Sequence, residues 1–440
     1  MSMIFTLDEY AMLPKPTLRL TIPSLHDALP LDCRVYHPHS LSPLPSAPPW
    51  NKHAAVVAHP YAPLGGCYDD PVVDIVAGTL LKLGFLVATF NFRGALGSAG
   101  RTSWTARAER ADYMSVAGFV AHYVHFLDPS GRPSSEDSTV SEENRAVQVQ
   151  PPTLSSPAPI LLLSGYSYGA MITTHLPPLD AILSLFLTPE SGSPAAEIRL
   201  RAQHLAEMQS TVISSARDAA SSHHLSPRAP RRGVGLRVGG DEENRKSQDS
   251  RRSLSMDLEN SVRQDAADLL AKAARARRNR EAPNKQAQEP TKRLPPVAGL
   301  TFRPAYLLVS PLQGIITNLA TMSFPSSLSI GPGRLLSRWL PKLQEESSAE
   351  PNALSRSIPP GAEDKLTQNP TLAVYGDHDV FVSARKLREW ATRLQTLENS
   401  HFHAIEVSGA GHFWAQSRKN ARILQDMVQT FGLSLLHDAT

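Results

Sequence analysis

Hydrophobic residues along this chain form short continuous runs that alternate with longer stretches of helical spacing. Runs rich in Val, Leu, Ile and Ala and bounded by turn residues predict buried strands. They cover residues 54–58, 85–90, 160–164, 305–310, 371–375 and 403–407. Apolar residues at helical spacing predict helices at 71–83, 106–126 and 418–431, and a further helix that begins near Ser167. Because strands alternate with helices, we expect an α/β fold with a mostly parallel sheet covered on both faces.

A hairpin is expected before this alternation begins. Residues 18–22 and 32–36 each have the pattern of a short strand, and a turn-rich stretch joins them. The two strands therefore predict an antiparallel addition to the main sheet.

A long polar segment, residues 187–300, interrupts the pattern. It has no Phe, Tyr or Trp, since none occurs between Phe186 and Phe302, and Ser, Arg, Ala, Glu and Gln dominate it. Such a composition buries too little apolar surface to offset the entropy lost on ordering. We therefore expect a largely disordered insertion, with room for one helix at 261–281.

The chain accordingly divides into three parts. Residues 1–186 form the first part of an α/β domain, 187–300 form the insertion, and 301–440 form the second part of the same domain. Two shorter stretches rich in Pro, Ser and Glu, 129–157 and 345–369, predict surface loops. One core is expected because α/β folds often run to roughly 250 residues as a single domain.

Charge gives no sign of a polyanionic partner. The formal net charge is +3 over 440 residues, so no global field favours nucleic acid or acidic substrates. Basic residues cluster within the insertion, as at 275–280, but no aromatic residue interleaves with them. Stacking platforms for single strands are therefore missing, and we expect no nucleic-acid binding.

Cysteine usage and the lack of long apolar runs indicate a cytoplasmic protein without a transmembrane segment. Cys33 and Cys67 are too few for a disulfide framework or a zinc site. The first residues carry Asp8 and Glu9 and lack the basic and apolar regions of a secretory signal. No apolar run approaches the roughly 18 residues that span a bilayer.

The strongest chemical signal is the sequence Gly165-Tyr-Ser167-Tyr-Gly169. It follows a predicted buried strand and precedes a predicted helix, which is the context that a nucleophile elbow requires. Glycines permit a turn so tight that larger side chains would collide with neighbouring backbone, and the turn exposes the serine hydroxyl. We predict that Ser167 is a nucleophile. The plainer interpretation is a glycine-rich turn with an inert serine.

A serine hydroxyl needs a base to take its proton and a carboxylate to orient that base. In folds with this elbow the partners follow in the order Ser, Asp, His. The predicted strand at 371–375 runs into Gly-Asp377-His-Asp379, which brings a carboxylate to the carboxyl edge of the sheet. Asp379 is our choice for the acid and Asp377 remains the rival, with a solvated turn as the plain alternative.

The base is expected in the loop after the last predicted strand. Gly409-Ala-Gly-His412 follows that strand, and its small residues let the backbone bring His412 over the serine. The chain has 16 histidines, so position rather than identity carries this prediction. His412 is therefore the candidate base.

Acyl transfer also needs two donors directed at the oxyanion of its tetrahedral intermediate. One candidate is the backbone N–H of Tyr168, the residue after the nucleophile. The other is the N–H of Tyr61, in the loop 59–66 that follows the strand at 54–58. His59 opens this loop and fits a role in the oxyanion loop better than the role of base; a purely structural role is the alternative.

Together these motifs resemble a known group, the α/β-hydrolases related to dienelactone hydrolase and prolyl oligopeptidase, in particular their fungal members. The motifs are His59-Pro60 with Gly65-Gly66, Phe90-Asn-Phe-Arg-Gly94 with Gly97-Ser-Ala-Gly100, and the elbow at 165–169. The resemblance covers about 54–170 and 306–428 and leaves out the insertion. It implies an α/β-hydrolase fold and a Ser-His-Asp triad. Dienelactone hydrolases use a cysteine where this chain has Ser167, so lactone cleavage is not implied.

The expected function is hydrolysis of a carboxylic ester, thioester or related acyl bond in a small-molecule substrate, without a cofactor or a metal. A peptidase fits less well because no repeats predict a propeller or large cap. The alternative is a non-catalytic protein of the same fold that binds unknown partners through the arm at 187–300. Residues 314–343 are apolar enough to form a lid or shape an acyl pocket, or to be ordinary core.

Overall fold

An eight-stranded sheet forms the centre of the molecule. The computed structural model describes residues 12–44, 46–103, 105–129, 158–224, 293–312 and 363–437. The strands are β1 Leu18–Pro23, β2 Pro30–Tyr36, β3 Ala54–Ala58, β4 Leu86–Phe90, β5 Ile160–Tyr166, β6 Arg303–Val309, β7 Thr371–Gly376 and β8 Phe402–Val407. They lie side by side in the order β1-β2-β4-β3-β5-β6-β7-β8.

The predicted hairpin and the predicted parallel sheet are both present. Strand β1 pairs antiparallel with β2, and β2 pairs antiparallel with β4. From β4 to β8 all neighbours pair in parallel. This strand order, with an antiparallel edge and a nucleophile elbow after β5, is that of the α/β-hydrolase fold. The predicted fold class is confirmed.

Helices cover both faces of the sheet. In the described residues they are α1 Pro71–Lys82, α2 Arg107–Phe126, α3 Tyr168–Thr174, α4 Leu179–Ser184, α5 Pro194–His224, α6 Asp364–Gln368, α7 Ala384–Gln395 and α8 Arg418–His437. Alternate residues of a strand point to opposite faces, so Val56 of β3 joins one apolar core and Val57 the other. The core that contains Val57 is covered by α1 and α8, and the core that contains Val56 by the other helices.

The region of the predicted insertion begins with an ordered helix. The prediction starts the insertion at 187, but Pro194–His224 forms α5, which packs along α2. Buried apolar side chains recur along α5 at helical spacing; they are Ala195, Ala196, Ile198, Ala202, Leu205, Ala206 and Ile213. The mean composition of 187–300 hides this stripe because the polar residues after 224 dominate it. Residues 225–291, which include the predicted helix at 261–281, lie outside the described residues.

The two flanking parts of the predicted division build one sheet, because β5 pairs with β6 along its whole length. Helix α7 has no counterpart among the predicted elements, and α8 extends beyond its predicted end to His437. None of the helices in the described ranges combines the length and apolar character needed to cross a membrane. The predicted lid at 314–343 lies outside the described residues.

Candidate active site

The turn between β5 and α3 holds Ser167 in a backbone conformation that side chains rarely adopt. Its φ is 56° and its ψ is −113°, as the strained strand-to-helix turn requires. A Cβ on Gly165 would lie 2.3 Å from the carbonyl carbon of Gly169, and a Cβ on Gly169 would lie 2.6 Å from the carbonyl oxygen of Ala58. The Ser167 N–H donates to the Val309 carbonyl at 2.8 Å. Neighbouring backbone therefore fixes the turn.

The hydroxyl of Ser167 meets two side chains from the loops after β7 and β8. His412 Nε2 lies 2.8 Å from Ser167 Oγ, and His412 Nδ1 lies 2.7 Å from Asp379 Oδ2. The side chains of Asp379 and His412 are 0% and 4% exposed. With these partners the Nδ1–H donates to the carboxylate and Nε2 accepts from the serine hydroxyl. The structure thus brings together the three side chains that the sequence singles out.

Asp379 is held on both of its oxygens. Its Oδ1 accepts from the backbone N–H groups of Phe381 at 2.8 Å and Val382 at 3.1 Å. Its Oδ2 is left to face His412. These hydrogen bonds hold the carboxyl group of Asp379 in one orientation.

Asp377, the rival acid, has a different place. It accepts from the backbone N–H of Gly409 at 2.7 Å and from the hydroxyl of Ser408 at 3.2 Å. The hydrogen bond from Gly409, followed by that from Ser408, lowers the pKa of this exposed carboxyl. Asp377 therefore braces the loop that carries His412 and does not contact the imidazole.

Aromatic side chains surround the imidazole of His412. Its ring centroid lies 5.5 Å from that of Tyr166, 4.6 Å from that of Phe381 and 5.5 Å from that of Phe413. The hydroxyl of Tyr166 also donates to the carbonyl oxygen of His412 at 3.0 Å. Two consecutive residues of the nucleophile turn, Tyr166 and Ser167, therefore hold the main chain and the side chain of His412.

His59 connects two loops at the same edge of the sheet. Its Nε2 accepts from the backbone N–H of Phe92 at 2.9 Å, and its Nδ1 lies 2.5 Å from the carbonyl oxygen of Pro60. Nδ1–H must therefore be the donor to Pro60, which makes His59 a neutral imidazole. Burial lowers the pKa of His59 to about 4, only partly opposed by the bond to Pro60. A buried neutral imidazole that already uses both nitrogens is not a second base.

The hydrogen bond from His59 to the carbonyl oxygen of Pro60 also fixes the direction of the Tyr61 N–H. No cis peptide bond occurs in the described backbone, and in a trans peptide the C=O and the following N–H point in opposite directions. Gly66 packs against the same peptide, since a Cβ there would lie 2.3 Å from the Pro60 oxygen. The Tyr61 N–H therefore points away from the imidazole of His59.

An open cleft of about 330 Å³ lies over Ser167 and His412. Its described lining is mostly apolar or aromatic and consists of Pro60, Tyr61, Leu64, Gly65, Gly66, Asp70, Tyr166, Ser167, Leu312, Phe381, His412 and Phe413. The predicted oxyanion-loop residue Tyr61 is part of this wall, and Tyr168 begins the helix behind Ser167. A mostly apolar cleft with a few polar groups is typical of a small-molecule site.

Asp70 also lines the cleft, although the sequence does not predict it as a site residue. It caps α1, with Oδ1 accepting from the Val72 N–H at 2.8 Å. Burial raises the pKa of this carboxyl, while the bonds from Val72 and Val73 and the nearby His412 lower it. An Asp before a Pro at a helix start reads as a cap, so the sequence pattern alone points to a structural role.

The described residues contain no cluster of three or more His, Cys, Asp or Glu side chains that could hold a metal ion. Ser167 and His412 line the cleft and form one hydrogen-bonded line with the buried carboxyl group of Asp379. Such a line moves a proton between a serine hydroxyl and an imidazole.

Comparison with known proteins finds distant similarity. No protein-family model and no curated protein matches the chain. Among solved structures, an α/β serine hydrolase homologue from Coxiella burnetii is 13% identical over 95% of this chain and 98% of that chain, with a TM-score of 0.39. Est1E from Butyrivibrio proteoclasticus, bound to ferulic acid, is 10% identical over 95% and 99%, with a TM-score of 0.40.

An esterase from Pyrobaculum calidifontis is 12% identical over 97% of this chain and 88% of that chain, with a TM-score of 0.43. At these identities and TM-scores the similarities carry no argument about the site. The class of the fold rests on the strand order and the elbow, and the chemistry rests on the geometry around Ser167.

Proposed function

We propose that this protein is a serine hydrolase that cleaves a carboxylic ester or thioester through an acyl-enzyme. The observation that carries the proposal is the unbroken line of hydrogen bonds from Asp379 through His412 to Ser167, at 2.7 and 2.8 Å. A serine in an ordinary glycine-rich turn has no reason to be strained, buried and bonded to an imidazole that is itself bonded to a buried carboxylate.

The reaction follows from the proton positions. Ser167 Oγ attacks the acyl carbon while its proton moves to His412 Nε2, and Asp379 stabilises the imidazolium that forms. His412 then gives the proton to the departing alkoxide or thiolate, which leaves the acyl group on Ser167. Water adds next, with His412 again taking a proton, and collapse of the second intermediate returns that proton to Ser167 as the acid departs.

The oxyanion of each intermediate needs donors already in position. We assign the N–H of Tyr168, at the N-terminus of α3, and the N–H of Tyr61. The bond from His59 to Pro60 supports the second assignment, because it stops the peptide between Pro60 and Tyr61 from turning over. His59 acts as a positioning residue in this scheme.

The ester or thioester is preferred over the amide as substrate because an alkoxide or thiolate leaves more readily than the anion of an amine, and the nitrogen of an amide must be protonated before it departs. The motifs shared with the dienelactone hydrolase and prolyl-oligopeptidase-like group support the fold and the Ser-His-Asp triad, with serine in place of the cysteine of dienelactone hydrolases, and not the choice of substrate. Cys33 and Cys67 are both free thiols, which supports a proposal that the protein works in the reducing cytoplasm.

The test is reaction with a fluorophosphonate probe, followed by assays on p-nitrophenyl acetate, butyrate and octanoate. The wild type is expected to be labelled and to hydrolyse at least one ester, and Ser167→Ala is expected to lose labelling and lower kcat by roughly 10⁴-fold or more. Ser164→Ala is the matched control. It removes a hydroxyl three positions earlier, in strand β5, for which the described residues offer no hydrogen-bond partner.

Equal labelling of the wild type and Ser167→Ala would contradict the assignment of the nucleophile. A folded wild type that neither reacts with the probe nor cleaves any ester would overturn the proposal. That result would favour the alternative, a non-catalytic protein of the same fold that binds partners through its long polar segment.

A further inference from the structure

One carboxylate in the cleft has no part in the proposed reaction. Asp70 lines the cleft together with Ser167 and His412. Among the described lining residues it is the one acidic side chain, and neither Lys nor Arg is among them. The fixed charge at this wall of the cleft is therefore negative.

The surroundings of Asp70 make this charge effective. The side chain is partly buried, and apart from the backbone N–H groups that it caps and the nearby His412, the described wall offers mainly aromatic and aliphatic groups that cannot pair with its charge. The rings of Phe381 and Phe413 meet at 5.7 Å and face the same cleft. An anionic group and aromatic rings that line one cleft are the combination that attracts an ammonium group, by charge and by cation–π interaction.

We propose that Asp70 makes the cleft select its ester substrates by charge, favouring a cationic substrate over an uncharged one of the same shape and rejecting an anionic one. The inference rests on the proposed hydrolase function of the same site. It names the substrate class as acyl esters or thioesters that carry an ammonium group and no carboxylate. Acidic esters are thereby excluded as preferred substrates.

The helix cap gives a way to test the charge alone. Asp70 accepts the Val72 N–H through one oxygen, and Asn caps helices about as well as Asp. Asp70→Asn therefore keeps the cap and the side-chain volume and removes only the charge. The matched control is Asp69→Asn, since Asp69 is its neighbour but pairs with Arg34 instead of lining the cleft.

The experiment compares three p-nitrophenyl esters that differ only in the end of the acyl chain. They are the cationic 4-(trimethylammonio)butanoate, its uncharged isostere 5,5-dimethylhexanoate, and the anionic monoester of glutarate. A second set, acetylthiocholine and 3,3-dimethylbutyl thioacetate, carries the charge on the leaving group. Each kcat/KM is divided by that of the uncharged member for the same protein variant.

This division removes any effect of Asp70 that acts through His412, because such an effect slows all esters alike. We expect the ratio of cationic to uncharged ester to fall roughly tenfold in Asp70→Asn in at least one set. The ratio of anionic to uncharged ester should rise by a similar factor. Both ratios should stay at their wild-type values in Asp69→Asn.

Ratios that change less than twofold in both sets, with the uncharged esters still cleaved, would overturn the role of Asp70 and leave the hydrolase proposal standing. Equal changes in Asp69→Asn and Asp70→Asn would also overturn it, because the effect would then belong to the general field of the surface. Failure of the wild type to react with the fluorophosphonate probe would instead overturn the proposed function, which the inference requires.

Discussion

Two buried carboxylates, Asp112 and Asp379, show how the same group serves two purposes in one molecule. Both side chains are 0% exposed and both face a nitrogen base. Asp112 pairs with Arg93 in a two-pronged contact, at 2.9 Å from Nε and 2.6 Å from Nη2. Asp379 pairs with one nitrogen of His412.

The two carboxylates differ in the remaining hydrogen bonds of their partners, Arg93 and His412. Arg93 is always protonated; its Nη1 also donates to Asp27 and its Nη2 to Ser24, so all of its nitrogens have partners within the protein. An imidazole, unlike a guanidinium, can exchange a proton during a reaction, and the second nitrogen of His412 faces a hydroxyl at an open cleft. The first arrangement holds the β1–β2 turn against α2, whereas the second can transfer a proton.

The largest difference between the two carboxylates is expected in kcat, when Asp379, which lies behind the open cleft, is replaced. In Asp379→Asn the backbone N–H groups of Phe381 and Val382 keep the amide oxygen at the Oδ1 position, so the amide NH₂ faces His412 Nδ1. The imidazole must then carry its proton on Nε2, where it cannot accept the proton of Ser167. We expect a loss in kcat of about 10⁴-fold, measured on the best p-nitrophenyl ester, with little loss of stability.

Asp377→Asn is the control for this variant. It weakens the brace on the loop of His412 but leaves the imidazole and its partner in place, so the loss in kcat should be far smaller. A larger loss in Asp377→Asn than in Asp379→Asn would reverse the assignment of the two carboxylates.

Replacing Asp112, which pairs with Arg93 inside the protein, should lower the free energy of unfolding instead of kcat. Asp112→Asn leaves the Arg93 guanidinium buried with only part of its compensating charge, and breaking such a pair costs about 3–5 kcal/mol in the free energy of unfolding. Urea denaturation measures this loss. Arg388→Ala breaks an exposed pair with Glu406 and should cost much less. A stable Asp112→Asn variant that has lost labelling by fluorophosphonate would contradict the division between the two carboxylates.

Buried imidazoles without a carboxylate partner can be compared with His412. Their expected effect is the smallest of the three and concerns how stability depends on pH. His59 and His122 are both 0% exposed, and burial lowers the pKa of each to about 4. An unfolded chain takes up these protons near pH 6.5 while the folded protein does not. Stability should therefore be complete above pH 6.5 and decline as the pH falls towards 4, by up to about 1.4 kcal/mol per pH unit for each group.

Urea midpoints between pH 7 and 4.5 test this dependence. His122→Gln removes one of the buried imidazoles whose pKa is lowered, so its midpoint should fall less steeply with decreasing pH than that of the wild type. An identical slope in the two proteins would mean that His122 is protonated in the folded state.

The sequence allows most of the sheet to be predicted because the parallel strands β3, β4, β5 and β7 are buried on both faces and appear as continuous apolar runs, as at Leu161–Leu163. Helix α7 is not predicted, although it buries one face, formed by Leu387, Trp390, Ala391 and Leu394. Its apolar stripe is narrow, and its other positions are largely charged. Helix α5 escapes because a mean over a long polar segment conceals a short apolar stripe.

For the site, chain order and loop position draw attention to Ser167, Asp379 and His412, and their roles remain a proposal. The sequence does not distinguish Asp377 from Asp379, because the choice depends on which carboxylate the backbone of the next turn can hold. It also conceals Asp70, whose position before a helix suggests no more than a cap. The choice between Asp377 and Asp379 and the position of Asp70 in the cleft both depend on contacts between loops that are distant in sequence. Local sequence patterns do not reveal such contacts.

The hydrogen bond between Ser167 and His412 joins residues 245 positions apart, and the bond from Tyr166 to His412 spans 246. Closing so long a loop is entropically costly, so contacts of this kind tend to form late in folding. During synthesis the nucleophile turn leaves the ribosome well before β7, β8 and the loop that carries the base. Under the proposed mechanism a growing chain therefore lacks the base that activates Ser167, and recovery of probe labelling during refolding would report when this last section of the sheet has formed.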